Sequence, residues 1–145
     1  MTKLLDARTS QNASFQNSLS SPISSTLTAF GQVGLNCFNP GTDIRVQMNG
    51  IVTVEFLAGS PSTTVLITIV RGTLATDPPV YTGIFAVNGV SQDGPLIVPF
   101  AFTASDNNVP APASHLLVYT AFVSASRVTA VRIGPESFNA AAYSD

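Results

Sequence analysis

The sequence predicts an all-β protein: a two-sheet antiparallel β-sandwich preceded by a polar N-terminal extension. Three observations carry this expectation. After about residue 25, apolar residues recur at every second position in run after run, and no stretch keeps a helical period. The runs are separated by clusters of Gly, Pro, Asn and Asp. The longest run, Thr42 to Phe56, buries one face only if it continues straight through Asn49-Gly50, a pair that otherwise reads as a hairpin turn.

The hairpin alternative fails on its faces. A two-residue turn would set Met48 against Ile51, Val46 against Thr53 and Ile44 against Glu55. Ile44 and Val46 would then share a face with Thr53 and Glu55, while Val52, Val54 and Phe56 turned away. Read straight through, Ile44, Val46, Met48, Val52, Val54 and Phe56 share one face, and Arg45, Gln47, Asn49, Thr53 and Glu55 share the other. One-face burial decides for a single long strand, with a bulge expected at Gly50.

The other elements follow in chain order. Residues 1–25 read as an N-terminal arm or connector, and residues 26–145 as the sandwich domain. The arm is rich in Ser, Asn and Gln, with Phe15, Leu19 and Ile23 spaced four apart. That spacing hints at an amphipathic helix, but Ser and Asn form helices poorly and Pro22 interrupts. Two readings stand: a disordered tail, or an arm that orders against a neighbouring subunit through Phe15, Leu19 and Ile23. Ser25–Leu35 alternates as a strand, and Asn39-Pro40-Gly41 is a turn. Thr63–Gly72 is a second long strand after the loop LAGSPS. A loop at Ala75–Pro79 leads into a strand over Val80–Val87. Leu96–Ala104 places Val98, Phe100 and Phe102 on one face, and Pro99 marks an edge or a bulge. Ser105–Ser114 reads as a long loop. His115–Ala125 is apolar on both faces, as a central strand should be. Arg127–Gly134 and Glu136–Tyr143 end the chain, split at Pro135.

Strands of this length with long loops between them favour a jelly roll over an immunoglobulin sandwich. The latter would also want a Cys…Trp…Cys core, and the chain has one Cys and no Trp.

Composition excludes several functions. Hydrophobic residues make up 45% of the 145 residues and charged residues 10%, with a net charge of −2. About 25% charged is usual, and a sparsely charged surface near neutrality resists association poorly. The six Lys and Arg are scattered, so no nucleic-acid partner is expected. No segment is long and apolar enough to span a bilayer, and MTKLLDARTS is followed by a polar run, so no membrane and no secretory signal are expected. Cys37 has no partner for an internal disulfide. It is either a buried small apolar residue or a cross-link between chains.

No catalytic, cofactor or metal site emerges. The only histidine, His115, stands where a loop enters a strand, and no Gly-x-Ser-x-Gly elbow precedes any serine. A cupin-type metal site would need several histidines. The carboxylates are spread singly. Asp77, Asp93 and Asp106 are placed in loops without Asp-x-Asp spacing, which suits turn formation better than calcium. Phe30, Phe56, Phe85, Phe100, Phe102, Phe122 and Phe138 read as core. Tyr81, Tyr119 and Tyr143 are the only candidates for a sugar platform.

Three segments resemble a family of bacterial spore-surface proteins, the exosporium protein C-like or appendage jelly-roll proteins. The first is RVQMNGIVTVEFLAGSPSTTVLITIVRGT (Arg45–Thr73), a long strand, a Gly/Pro loop and an apolar strand ending Arg-Gly-Thr. The second is NVPAPASHLLVYTAFV (Asn108–Val123), similar to a family run of Val-Pro-Ala-Gly-x-His leading into a strand. The third is RIGPESFNAAAYSD (Arg132–Asp145), similar to an ending of Ile/Val-Gly-Pro, two residues, then Phe and small residues. The arm does not match. The resemblance implies a tumour-necrosis-factor-like jelly roll at the endospore surface, in the exosporium or an appendage, made in the cytoplasm without a signal peptide.

The expected role is a structural, non-enzymatic subunit that self-assembles into a spore-surface layer or filament, without cofactor. Its partners would be copies of itself and other spore-coat or exosporium proteins. A carbohydrate-binding or adhesive module on the loops around Asp77, Asp93 and Asp106 is the alternative. A hydrolase built on His115 is the third reading.

Overall fold

A computed structural model describes residues 1–145. The chain forms nine strands and no helix: β1 (Lys3–Ala13), β2 (Ser21–Pro22), β3 (Thr28–Asn36), β4 (Ile44–Phe56), β5 (Thr63–Arg71), β6 (Pro79–Val87), β7 (Leu96–Val109), β8 (Leu116–Ala125) and β9 (Ala130–Ser144). One sheet runs β1-β9-β4-β7, with the short β2 also on β9. The other runs β3-β8-β5-β6. Leave β2 aside, and the pairing is nested. The first long strand pairs with the last (β1 with β9) and the second with the second-last (β3 with β8). The third pairs with the third-last (β4 with β7), and the middle two pair with each other (β5 with β6). A ribbon folded at β5–β6 and wrapped into two sheets has this pattern, which is that of a jelly roll.

The long strand passes straight through Asn49-Gly50, as the face argument requires. Ile44, Val46, Met48, Val52, Val54 and Phe56 are all buried in the core. Each contributes about 1.5–3 kcal/mol by leaving water. No bulge occurs at Gly50. Register slips fall instead at Ile44/Val46 against β7 and at Val52/Val54 against β9. Gly50 is there for space: a Cβ would sit 2.5 Å from the Phe102 ring and 2.6 Å from the Ser137 carbonyl oxygen. β8 is a central strand, and β7 with Pro99 is an edge strand, both as the sequence indicates. A single apolar cluster reaches from Ile23 and Phe30 to Phe138 and Ala142.

Three sequence expectations need correction. Residues 1–25 are not an arm outside the sandwich, and the boundary at residue 26 is not a structural one. Lys3–Ala13 is a strand paired along its length with β9, and Ile23 is 2% exposed within the core. A chain lacking residues 1–24 would therefore lose an edge strand and a core side chain, not a detachable connector. The loop expected at Ser105–Ser114 is shorter, because β7 continues to Val109. It does so because Asp106 turns inward to bind groups on the opposite sheet. Pro135 does not split the last strand. β9 absorbs it in the bulge beside Val52/Val54, and the chain between β1 and β2 loops out at the same level.

Candidate functional site

The residues that could carry chemistry are dispersed or engaged in holding the fold. No group of three or more His, Cys, Asp or Glu side chains lies close enough to hold a metal. His115 is exposed, its ring stands edge-on to Phe38 at 5.2 Å, and no hydrogen bond ties its imidazole to a serine or a carboxylate. Asp77 closes its own turn by accepting the Thr73 and Leu74 N–H groups, both at 2.8 Å. Asp93 lies in the loop after β6, whereas Asp77 lies in the loop before it, so a nine-residue strand separates them. That is about 30 Å. The three loop carboxylates do not converge on one ligand, and Asp106 is not in a loop at all. Tyr119 is fully buried, and Tyr81 is half-buried, stacked on Phe102 at 5.7 Å. Tyr143 lines a polar cleft with Thr2, Arg45 and Gln47.

Cys37 is fully buried and free. Burial, and then the nearby Asp6 carboxylate, push its thiol above the ordinary range. A buried neutral thiol is a poor nucleophile. Alkylation by iodoacetamide is therefore expected to be slow in the native protein and fast in denaturant. Rapid native labelling, or an interchain disulfide, would restore the cross-link reading.

Two polar clusters brace the fold, one between the two sheets and one within the β1-β9-β4-β7 sheet. On β7, Asp106 continues the inward row of Phe100 and Phe102. It accepts three hydrogen bonds from Arg71 on β5, at 2.9 and 2.7 Å to one oxygen and 2.9 Å to the other, and one from the Tyr119 hydroxyl on β8 at 2.7 Å. Burial, then the Asp106 carboxylate, hold the Tyr119 phenol far above its usual range, so it stays a neutral donor. At the β9 bulge, Arg132 donates to both oxygens of Glu136 at 2.6 and 2.7 Å, and Asn12 of β1 donates to one of them at 2.6 Å. Their side chains are 5% and 0% exposed.

The two long margins of the sandwich differ. One is closed. There β1 and β3, the edges of the two sheets, lie side by side. Asp6 accepts the Asn36 N–H at 2.8 Å and the Arg8 guanidinium at 2.9 Å, and Ser10 accepts the Gln32 N–H at 3.2 Å. Side chains of one edge thus cap the backbone of the other, and charges flank the join, a known way of blunting sheet edges. The Asn36 amide, outweighing a burial effect of opposite sign, leads in holding the Asp6 carboxyl below its usual value, with Arg8 adding to it. A depressed folded-state value means the stabilisation is present above the unfolded pKa of about 3.9 and is lost as pH falls through the folded value. An Asp6→Asn variant should lack this part of the acid limb in urea melts run from pH 6 downward. Parallel acid limbs in the two proteins would refute it.

The other margin is open. β6 pairs only with β5, and β7 only with β4. Neither Pro79–Val87 nor Leu96–Ala104 contains a charged residue. Between the two edges runs an apolar groove lined by Ile84, Phe85, Val87, Leu96, Val98 and Phe100. Its floor is aromatic: Phe85 meets Phe100 at 5.2 Å. Ile84 is 71% exposed and Leu96 42%. Of the devices that protect sheet edges, only Pro99 on β7 and, at the start of β6, Pro79 with the register shift beside it are present, and no charge stands on either stretch. Of the three residues expected to touch a neighbour, Phe15 is exposed, Leu19 is half-buried, and Ile23 is spent in the core. The sequence shows both neutral stretches, and Pro99 points to the β7 edge, but that β6 forms the facing edge follows from the strand order alone.

The class defined by this architecture is the jelly-roll β-sandwich. No family model matches the chain, and no curated protein matches it in sequence. Solved structures that resemble it include infectious bursal disease virus, Gt strain, at 13% identity and TM-score 0.44, covering 99% of this chain and 36% of that one. Dimeric latent PorU from Porphyromonas gingivalis is 8% identical with TM-score 0.47, over 97% of this chain and 13% of that one. Broad Bean Stain Virus is 9% identical with TM-score 0.33, over 100% and 86%. The chain spans about a third of the length of the bursal disease virus chains. These likenesses are too distant to say anything of role, and the jelly-roll assignment rests on the strand order.

Proposed function

We propose that this chain is a structural subunit that packs against copies of itself to build a layer or filament at the surface of a bacterial endospore, in the exosporium or an appendage. One observation carries the self-packing: the β1/β3 margin is capped and charged, while the β6/β7 margin is uncapped, neutral and apolar. An exposed apolar edge of this kind marks an interaction surface. The buried polar clusters suit a rigid building block, since both tie separate strands together. What supports the spore setting is the resemblance of three segments, which fall on β4 to β5, on the end of β7 through β8, and on β9. Other coat or exosporium proteins are the further partners this setting implies.

Negative-stain microscopy of the purified protein tests the assembly, with fibres or sheets expected. Dispersed single particles at high concentration would overturn it. Immunogold labelling of intact spores tests the setting: label on the surface layer supports it, and label confined to the spore interior or the mother-cell cytoplasm refutes it.

A further inference from the structure

We infer that the β6–β7 groove of one copy receives the Phe15 loop of a second copy, so that subunits join head to tail through two different surfaces. The inference rests on the self-packing reading and names its contact.

The loop between β1 and β2 is built to present a side chain. Ser18 donates its N–H to the Phe15 carbonyl oxygen at 3.1 Å and accepts the Phe15 N–H on its hydroxyl oxygen at 3.2 Å. Leu19 donates to the Ile133 carbonyl oxygen at 3.3 Å, which ties the loop to the β9 bulge. Asn17 takes the left-handed conformation, with φ 64°, at the tip. Gly134 makes room beneath: a Cβ there would lie 2.7 Å from the Phe15 carbonyl oxygen. Phe15 itself is left 66% exposed at the top of this turn. A ring held out on a fixed turn loses little conformational freedom on binding.

The groove matches it in chemistry. Residues 14–20 carry no charge, and neither does either wall of the groove. A neutral apolar knob meets a neutral apolar slot, with no charge left unpaired on burial. The two features lie on opposite margins of the sandwich, one beside the β1–β2 edge and the other between β6 and β7. A chain cannot fill its own groove, so on the self-packing reading the loop of a second copy fills it.

Size sets what else must take part. One aromatic ring buries about 150–250 Å². A specific interface needs about 800 Å² per partner. The open margin is about 30 Å long for nine-residue strands and spans two sheets about 10 Å apart, which gives ~300 Å² before flanking side chains are added. Phe15 is thus only the anchor: the surface around the β1–β2 loop on one copy and the walls of the β6–β7 margin on the other supply the rest. A contact between unlike surfaces closes into a ring or runs on as a fibre, according to the rotation it imposes.

Two single variants and their mixture form the test. Phe15→Asp spoils the knob and Ile84→Asp spoils the groove. Both residues are exposed, so both variants are expected to keep the wild-type circular dichroism melt. Sedimentation velocity should show each variant as a monomer at concentrations where the wild type associates. An equimolar mixture should form a dimer and stop there, because one sound knob meets one sound groove. If the wild type associates and Phe15→Asp still does, this contact is wrong while self-packing stands. If the mixture yields no dimer, the contact is not between these two surfaces. If the wild type stays monomeric throughout, the self-packing reading falls as well.

Discussion

Replacing Glu136 by alanine is expected to lower stability by about 3–5 kcal/mol, because it leaves Arg132 charged and buried without its partner. At roughly 3 °C per kcal/mol for a chain of this length, the melting temperature should fall by some 10–15 °C. The effect is large because both side chains are almost wholly out of water, and Asn12 loses its acceptor in the same stroke. Removing both charges is expected to cost much less: Arg132→Met combined with Glu136→Leu replaces an ion pair by packing, which is often neutral. Thermal melts of the two variants separate these cases. Equal losses in the single and double variants would mean that the side-chain volume at the bulge matters, and not the unpaired charge.

Phe138→Ala is the second large effect, at about 3–5 kcal/mol. Phe138 is fully buried on β9 and faces Phe102 on β7 at 6.4 Å between ring centres. Phe102 in turn meets Phe30 of the other sheet edge-on at 6.2 Å. Gly31 on β3 lets the second sheet close over this point, since a Cβ there would sit 2.5 Å from the Phe138 Cβ. The surrounding rings are held by one another and cannot collapse into the space left behind. Phe15→Ala is the contrasting variant. With Phe15 exposed, its stability should stay within about 0.5 kcal/mol of the wild type in urea melts. A small loss at Phe138 would mean that the two sheets can slide to fill the gap.

The parts of the fold that the sequence reveals are those governed by side-chain alternation. The inner face of β4 and the central position of β8 follow from which residues must leave water, and Pro99 points to the edge position of β7. β1 does not, because alternation is not what holds it. Its bonds are backbone pairs to β9 and side-chain caps from Asp6 and Ser10 onto β3, and of its side chains only Leu5 and Ala13 reach the core or are buried. Polar composition made it look like a tail. Pro135 misleads for a related reason: a central strand tolerates proline where a bulge takes up the missing pair, and a bulge has no periodic signature. Asp106 was legible in part, since it extends the inward row of Phe100 and Phe102, and an inward carboxylate implies a partner across the core. The partner's identity, Arg71 with Tyr119, needed the strand order. The candidate interface divides the same way. The absence of charge from Pro79–Val87 and Leu96–Ala104 is plain in the sequence, but their meeting at one open margin is a property of the nested pairing.

Concentration-dependent amide hydrogen exchange tests the central claim most directly. In the dilute protein, the amides of β6 and β7 that turn away from β5 and β4 should exchange quickly. Raising the concentration into the assembling range should slow them, while the capped Gln32 and Asn36 amides of β3 stay unchanged. No added protection on β6 and β7, or protection that builds on the β1/β3 margin instead, would contradict the account.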